Sequence, residues 1–206
     1  MSSGKQVPEA PSARPVVCSI FAALVTIAPI SSPGAALGLS DLMAMLSKVE
    51  RSDGAFEETR HLKVLDAPIV RRGTLHYTRP DRLEMRVVTP VPETIAITGD
   101  HIYVRSREGN REWEISAQPV VLAWIEAIRA TLAGDEPSLA RLFRIEVNGD
   151  QNAWEMRLEP VDPRVSKALS WVHVRGKKSA ITSIEVRDAQ ADRISIEIKP
   201  GERFPP

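Results

Sequence analysis

The segment Gly73–Pro90, GTLHYTRPDRLEMRVVTP, constrains the fold more than any other part of this chain. Two alternating runs meet there at an Arg-Pro corner. Counting by twos, Leu75, Tyr77 and Arg79 share one face of the first run, and Thr74, His76 and Thr78 share the other. Pro80 and Asp81 break the pairing, after which Leu83, Met85 and Val87 line one face of the next run, opposite Arg82, Glu84 and Arg86. The pattern predicts a sheet that is wet behind and apolar in front, with Arg79 pointing the apolar way. A guanidinium left unpaired there costs roughly several kcal/mol, so Arg79 should meet backbone carbonyls or a carboxylate from whatever covers the face.

The rest of the chain supplies more strands and a cover. Leu39–Val49 has Leu42, Met43, Leu46 and Val49 at helical spacing, with Ser40 or Asp41 to cap it and Ser52-Asp53-Gly54 to end it. Strands are expected over 55–65 and 69–79 around an Asp66-Ala67-Pro68 turn. Three more follow over 93–98, 101–107 and 111–116, with Gly99-Asp100 and Gly109-Asn110 at the turns. No helix separates these strands, so the sheet is antiparallel, and a run this long should curl.

The period then changes. Between Pro119 and Leu132 the apolar residues Val121, Trp124, Ile125, Ile128 and Leu132 form one stripe along a helix, the expected lid over the apolar face. Gly134 stops it, and a short helix carrying Leu139, Leu142 and Phe143 follows. Beyond it, Asn148-Gly149 is the strongest hairpin signal, Val165–Leu169 suits one helical turn, and strands are expected over 170–175, 180–187 and 193–199. Leu75, Tyr77, Leu83, Met85, Ile95, Ile97, Trp113 and Ile115 together make more concave apolar surface than one helix covers, which points to a binding pocket.

The first 36 residues have the features of a cleaved secretory leader: Lys5 and Arg14 precede an uncharged run to Ile30, and small residues end at Ala36. Residues 37–200 form the expected domain and 201–206 a loose tail. The single cysteine, Cys18, lies inside the leader, so the exported domain relies on its core rather than on disulfides. Lysine plus arginine and aspartate plus glutamate balance at 27 each, which argues against a nucleic-acid partner. The histidines His61, His76, His101 and His173 lack metal-ligand spacing, so neither a metal nor a cofactor is expected. No nucleophile elbow or phosphate loop occurs, and Glu112 and Glu114 lie two apart on a face opposite Trp113 and Ile115. The reading is of a protein that is not an enzyme.

The motif G-x-L-x-Y-x-R-P-x-x-L from Gly73 to Leu83, Pro90, the pair Ile95 and Ile97 and a following Gly-Asp turn resemble the periplasmic outer-membrane lipoprotein carriers, the LolA-like proteins. Ala55-Phe56-Glu57-Glu58-Thr59 is similar to that family's first strand, although Glu58 stands where the well-studied carriers tend to have Gln. The segments around Leu65–Pro68, Arg79–Glu84 and Ile128–Asp135 are more similar to a divergent, carrier-related branch. The resemblance implies a mostly β fold, an incomplete antiparallel barrel of about eleven strands with short helices as a lid. It also implies that Arg79 latches the lid in the empty carrier. The implied cargo is an acylated lipoprotein or another lipid, handled by a monomer in the periplasm. An inner-membrane releasing complex or exporter would donate the cargo and an outer-membrane acceptor would receive it. A lipid-sensing or interaction module of an inner-membrane exporter is the alternative.

Overall fold

The structure, a computed structural model, describes residues 36–202. The expected leader, apart from Ala36, and the tail from residue 203 lie outside the described residues. Helix α1 (Leu39–Leu46) is followed by the strands β1 (Arg51–His61), β2 (Ile69–Thr78), β3 (Arg82–Thr89), β4 (Glu93–Thr98), β5 (His101–Ser106) and β6 (Gly109–Glu114). Two helices, α2 (Pro119–Ala133) and α3 (Glu136–Leu142), lead into β7 (Phe143–Asp150) and β8 (Ala153–Pro160). A one-turn helix α4 (Pro163–Ser166) and the strands β9 (Leu169–Lys177), β10 (Ala180–Asp188) and β11 (Arg193–Pro200) complete the order.

The eleven strands make one antiparallel sheet in the order β6-β5-β4-β3-β2-β1-β11-β10-β9-β8-β7. Each half is a meander of hairpins, and the halves join where β1 pairs β11, with Phe56 opposite Ile198 and Glu58 opposite Ile196. The edges β6 and β7 do not pair with each other, so the barrel stays open, as the family resemblance implied. The chain passes between those edges through α2 and α3. The main core lies under α1, α2 and α3, where Leu42, Met43, Leu46, Ala127 and Leu139 pack with Trp154, Met156, Leu158, Val172 and Val174 of the second half. Alternation in β8, β9 and β10 puts every second apolar residue into this core.

Several local expectations are corrected. Helix α1 stops at Leu46 and is preceded by Gly38; Ser40 does not cap it, and its hydroxyl instead donates to Glu136. Ser52-Asp53-Gly54 is not a terminator but part of β1, which spans 51–61 rather than 55–65. There Gly54 lets β11 approach closely: a Cβ on it would meet the carbonyl oxygen of Lys199 at 2.9 Å. Asn148-Gly149 lies within β7, opposite Glu155 and Trp154, and the two-residue turn is Gln151-Asn152. Asp150 makes that turn by accepting hydrogen bonds from the backbone of Asn152 and Ala153, an Asx turn outcompeting the Asn-Gly signal. Similarly, Gly109-Asn110 opens β6 instead of turning into it, and α4 ends at Ser166, short of Leu169.

The C-terminus of α2 is fastened to α1 by Gly134. Its φ of +65° is left-handed, and its N–H bonds to Thr131 while Asp135 bonds back to Ala130. A Cβ there would also lie 2.3 Å from the Met43 carbonyl oxygen and 2.6 Å from the Ser47 nitrogen. Gly134→Ala should therefore cost more than the ~1–2 kcal/mol of a left-handed alanine alone. Gly99 is left-handed too but has open space around it, so Gly99→Ala is the reference. Urea unfolding should show Gly134→Ala less stable than Gly99→Ala by at least ~1 kcal/mol, and equal losses would contradict the close approach of the helices.

Candidate functional site

The concave face is covered unevenly, and the thinly covered part encloses a cavity. The inward apolar residues of β8 and β9 are buried to near-zero exposure, whereas Leu75, Leu83, Met85, Ile95, Ile102 and Val104 of the first half stay only half-buried beneath α2. These residues line a space of about 270 Å³, closed from above by Trp124, Ile125, Ile128 and Leu132 and flanked by Ile196 and Ile198. Strand register sets them in rows. Tyr77, Leu83, Ile97 and Ile102 are cross-strand neighbours, and Leu75, Met85, Ile95 and Val104 form the next row.

Of the predicted pocket residues, the structure brings Leu75, Tyr77, Leu83, Met85, Ile95 and Ile97 together around this space. It does not bring Trp113 or Ile115. Trp113 sits on the edge strand β6, where it is 39% exposed. Ile115 lies past the end of that strand, buried against Ile97 and Ile125 in a small cluster of its own. Of the predicted lid stripe, Val121 packs on this same cluster and does not line the cavity, while the other four members do. The Nε1–H of Trp124 is buried with no hydrogen-bond partner among the described residues.

Arg79 meets backbone carbonyl, as its parity required, but on α1 rather than on α2. Its guanidinium donates to the carbonyl oxygen of Ser47, the residue that caps α1, and its backbone N–H donates to Glu50 at 3.0 Å. Since Ser47 touches Gly134, the arginine reaches α2 through the helix junction. Helix α2 has a clasp of its own. Arg129, partly buried, donates to the carbonyl oxygen of Gly99 at 2.8 Å and lies 3.5 Å from Asp81, whose other contact is the N–H of Gly99. Beneath these clasps burial raises the Tyr77 phenol above its ordinary pKa, more than the nearby Arg79 lowers it, so it remains a neutral donor to the Pro80 carbonyl at 3.3 Å.

The inner face also carries charges that the expectation of a single inward cation missed. Glu58 is 1% exposed and stands directly opposite Arg71 in the β1–β2 ladder. Its Oε1 accepts from Arg60 Nε at 2.6 Å and its Oε2 from Arg71 Nε at 2.7 Å, while Arg71 Nη1 lies 3.2 Å from Glu93. Glu58, Arg60 and Arg71 line the cavity. The signal was available in the alternation: Glu58 and Arg60 share parity with Phe56, Arg71 with Leu75, and Glu93 with Ile95. Arg71 and Tyr77 are six residues apart, so the cavity floor runs about 20 Å from its charged end to its Tyr77 end. Among the described residues no group of three His, Cys, Asp or Glu is placed to hold a metal, and no helix is long and apolar enough to cross a membrane.

The profile of the family described as "Outer membrane lipoprotein carrier protein LolA-like" matches residues 31–197. Among solved structures, the chain is similar to a LolA superfamily protein from Nitrosomonas europaea, at 9% identity and a TM-score of 0.41, over 82% of this chain and 96% of that one. It is also similar to the MucA/MucB complex of Pseudomonas aeruginosa, at 10% identity and a TM-score of 0.45, over 81% of this chain and 58% of that one. A third likeness is to the CwlD amidase of Clostridioides difficile in complex with the GerS lipoprotein, at 12% identity and a TM-score of 0.39, over 80% and 92%. No curated protein sequence matches. With its profile match over most of the chain and an open eleven-stranded sheet roofed by helices, the chain belongs to the LolA-like outer membrane lipoprotein carrier family.

Proposed function

We propose that this protein is a periplasmic carrier that shelters an acyl chain of a lipoprotein or lipid in its half-barrel and hands it toward the outer membrane. The observation that carries this reading is the half-buried apolar face beneath α2: the same alternation that is fully packed in β8 and β9 leaves a lined space over β2–β5. Each methylene exposed to water costs about 0.8 kcal/mol, so an acyl chain leaves a membrane at a useful rate only if something apolar receives it. The space of about 270 Å³ lies just below the ~300–1,000 Å³ typical of pockets that bury a whole small ligand. A cargo with several acyl chains therefore has to displace α2. Both oxygens of Glu58 are engaged by arginines, which leaves that carboxylate no free edge for acid-base chemistry and favours binding over catalysis.

Displacing α2 breaks contacts that the empty protein makes. The guanidinium of Arg129 loses Gly99 and Asp81, and where α1 is carried along through its junction with Gly134, that of Arg79 loses Ser47. Charge-assisted hydrogen bonds of this kind are worth about 1.5–3 kcal/mol each, so a loaded carrier is biased toward giving its cargo up. Native mass spectrometry of the protein purified from periplasm should find a co-purified lipid or acylated protein. Recovery of the empty protein fixed to an inner-membrane partner would instead favour a sensor or interaction module.

Arg79→Leu should hold cargo about tenfold more tightly and release it more slowly, because the loaded state no longer forgoes the Ser47 contact; equal release from the two proteins would refute the latch. Arg129→Gln acts on α2 itself. Amide exchange across 119–133 should quicken by about tenfold while β8–β10 stay as protected as before. Unchanged exchange in α2 would show that Arg129 does not hold it down.

A further inference from the structure

The charged end of the cavity is a costly way to hold the strands together. Burying an ion cluster inside an apolar sheet face is rarely stabilising, since apolar residues of similar volume generally do as well or better. Its bonding is also lopsided. Arg71 is shared between Glu58 and Glu93, whereas Arg60 has a single bond, from its Nε to Glu58. Neither terminal amino group of Arg60 has a partner among the described residues, and its cross-strand neighbours Ile69 and Ile194 offer no side-chain acceptor. Arg60 is about a third exposed and lines the cavity, with both terminal amino groups of its guanidinium fork free of protein partners among the described residues. Glu58, clamped by the two arginines, holds that fork in place.

Resting on the carrier reading, we propose that the cavity takes a single-chain amphiphile lengthwise, with an oxyanion head, carboxylate or phosphate, bonded to Arg60. The tail then crosses the row of Leu75, Met85 and Ile95 toward Tyr77 and Trp124. The floor of about 20 Å suits one extended chain lying along it, and two N–H groups of a guanidinium match two oxygens of a carboxylate or phosphate. A cationic head gains less, because Glu58 is fully engaged and Glu93 already faces Arg71.

Four probes with the same alkyl chain test this below their micellar concentrations: lauric acid, dodecyl phosphate, dodecyl maltoside and dodecyltrimethylammonium, titrated calorimetrically into the delipidated protein. One or both anions should bind at least about tenfold more tightly than the maltoside, and the stronger of the two identifies the head as carboxylate or phosphate. Arg60→Gln should bring the anions down to the maltoside value and leave maltoside affinity unchanged, while Arg60→Lys, which keeps the charge without the fork, should keep only part of the preference. Arg60 is partly exposed and Glu58 keeps Arg71 in these variants, so folding is expected, and unchanged maltoside binding verifies it. Equal affinity for anions and maltoside, tightest binding of the ammonium probe, or an anion preference that survives in Arg60→Gln would each overturn the head-group assignment while leaving the carrier reading standing. Failure of all four probes to bind would overturn both.

Discussion

The pairing of β1 with β11 is the contact on which the rest of this structure depends. It joins two hairpin meanders edge to edge and places the first and last strands at the centre of one sheet. The unpaired strands are thereby pushed to the two flanks, and the chain passes from one flank to the other across the concave side, where its apolar residues are buried. That crossing is α2 and α3. The roof of the cavity is thus a consequence of strand order before it is a matter of side chains.

Roofing by so little helix leaves the two halves unequal. Around Met156, Leu158 and Val172 the helices fill the space completely, and the packing is that of an ordinary core. Around Met85, Ile95 and Val104 they do not, and apolar area stays available. The clasps at Arg79 and Arg129 then make sense as compensation: the corner after β2 holds the end of α1 and the β4–β5 turn holds α2, fastening a roof whose apolar stripe lacks a full complement of partners.

Much of this was legible in the sequence, because period-two alternation is a strong signal when turns are frequent. The expected inward turn of Arg79 corresponds to its bond to Ser47 at the end of α1, and four of the five residues of the expected α2 stripe lie over the cavity. The misreadings have physical causes. Asn148-Gly149 carries the stronger turn dipeptide, yet the Asp150 carboxylate fixed the turn two residues later. Trp113 has the right parity, but parity says nothing about curvature, and on an edge strand the roof does not reach it. The charged end was overlooked for a different reason: Glu58 and Arg71 are adjacent only in the β1–β2 ladder, thirteen positions apart along the chain, and each alone looks like a solvent-facing residue.

Helix α1 is tied down at both ends, and this limits how the protein can deform. Just before it, the N–H of Leu37 bonds to the Gly149 carbonyl on the edge strand β7; just after it, Ser47 and Glu50 are held by Arg79 at the end of β2. The helix is therefore a strut laid across the flexible direction of the sheet. Spreading the strands apart puts that strut under tension, and one of its two moorings has to give way first. Because the mooring on β2 is the arginine and the one on β7 is a lone backbone contact at 3.1 Å, the weaker attachment is at the flank, and compliance under load should begin there.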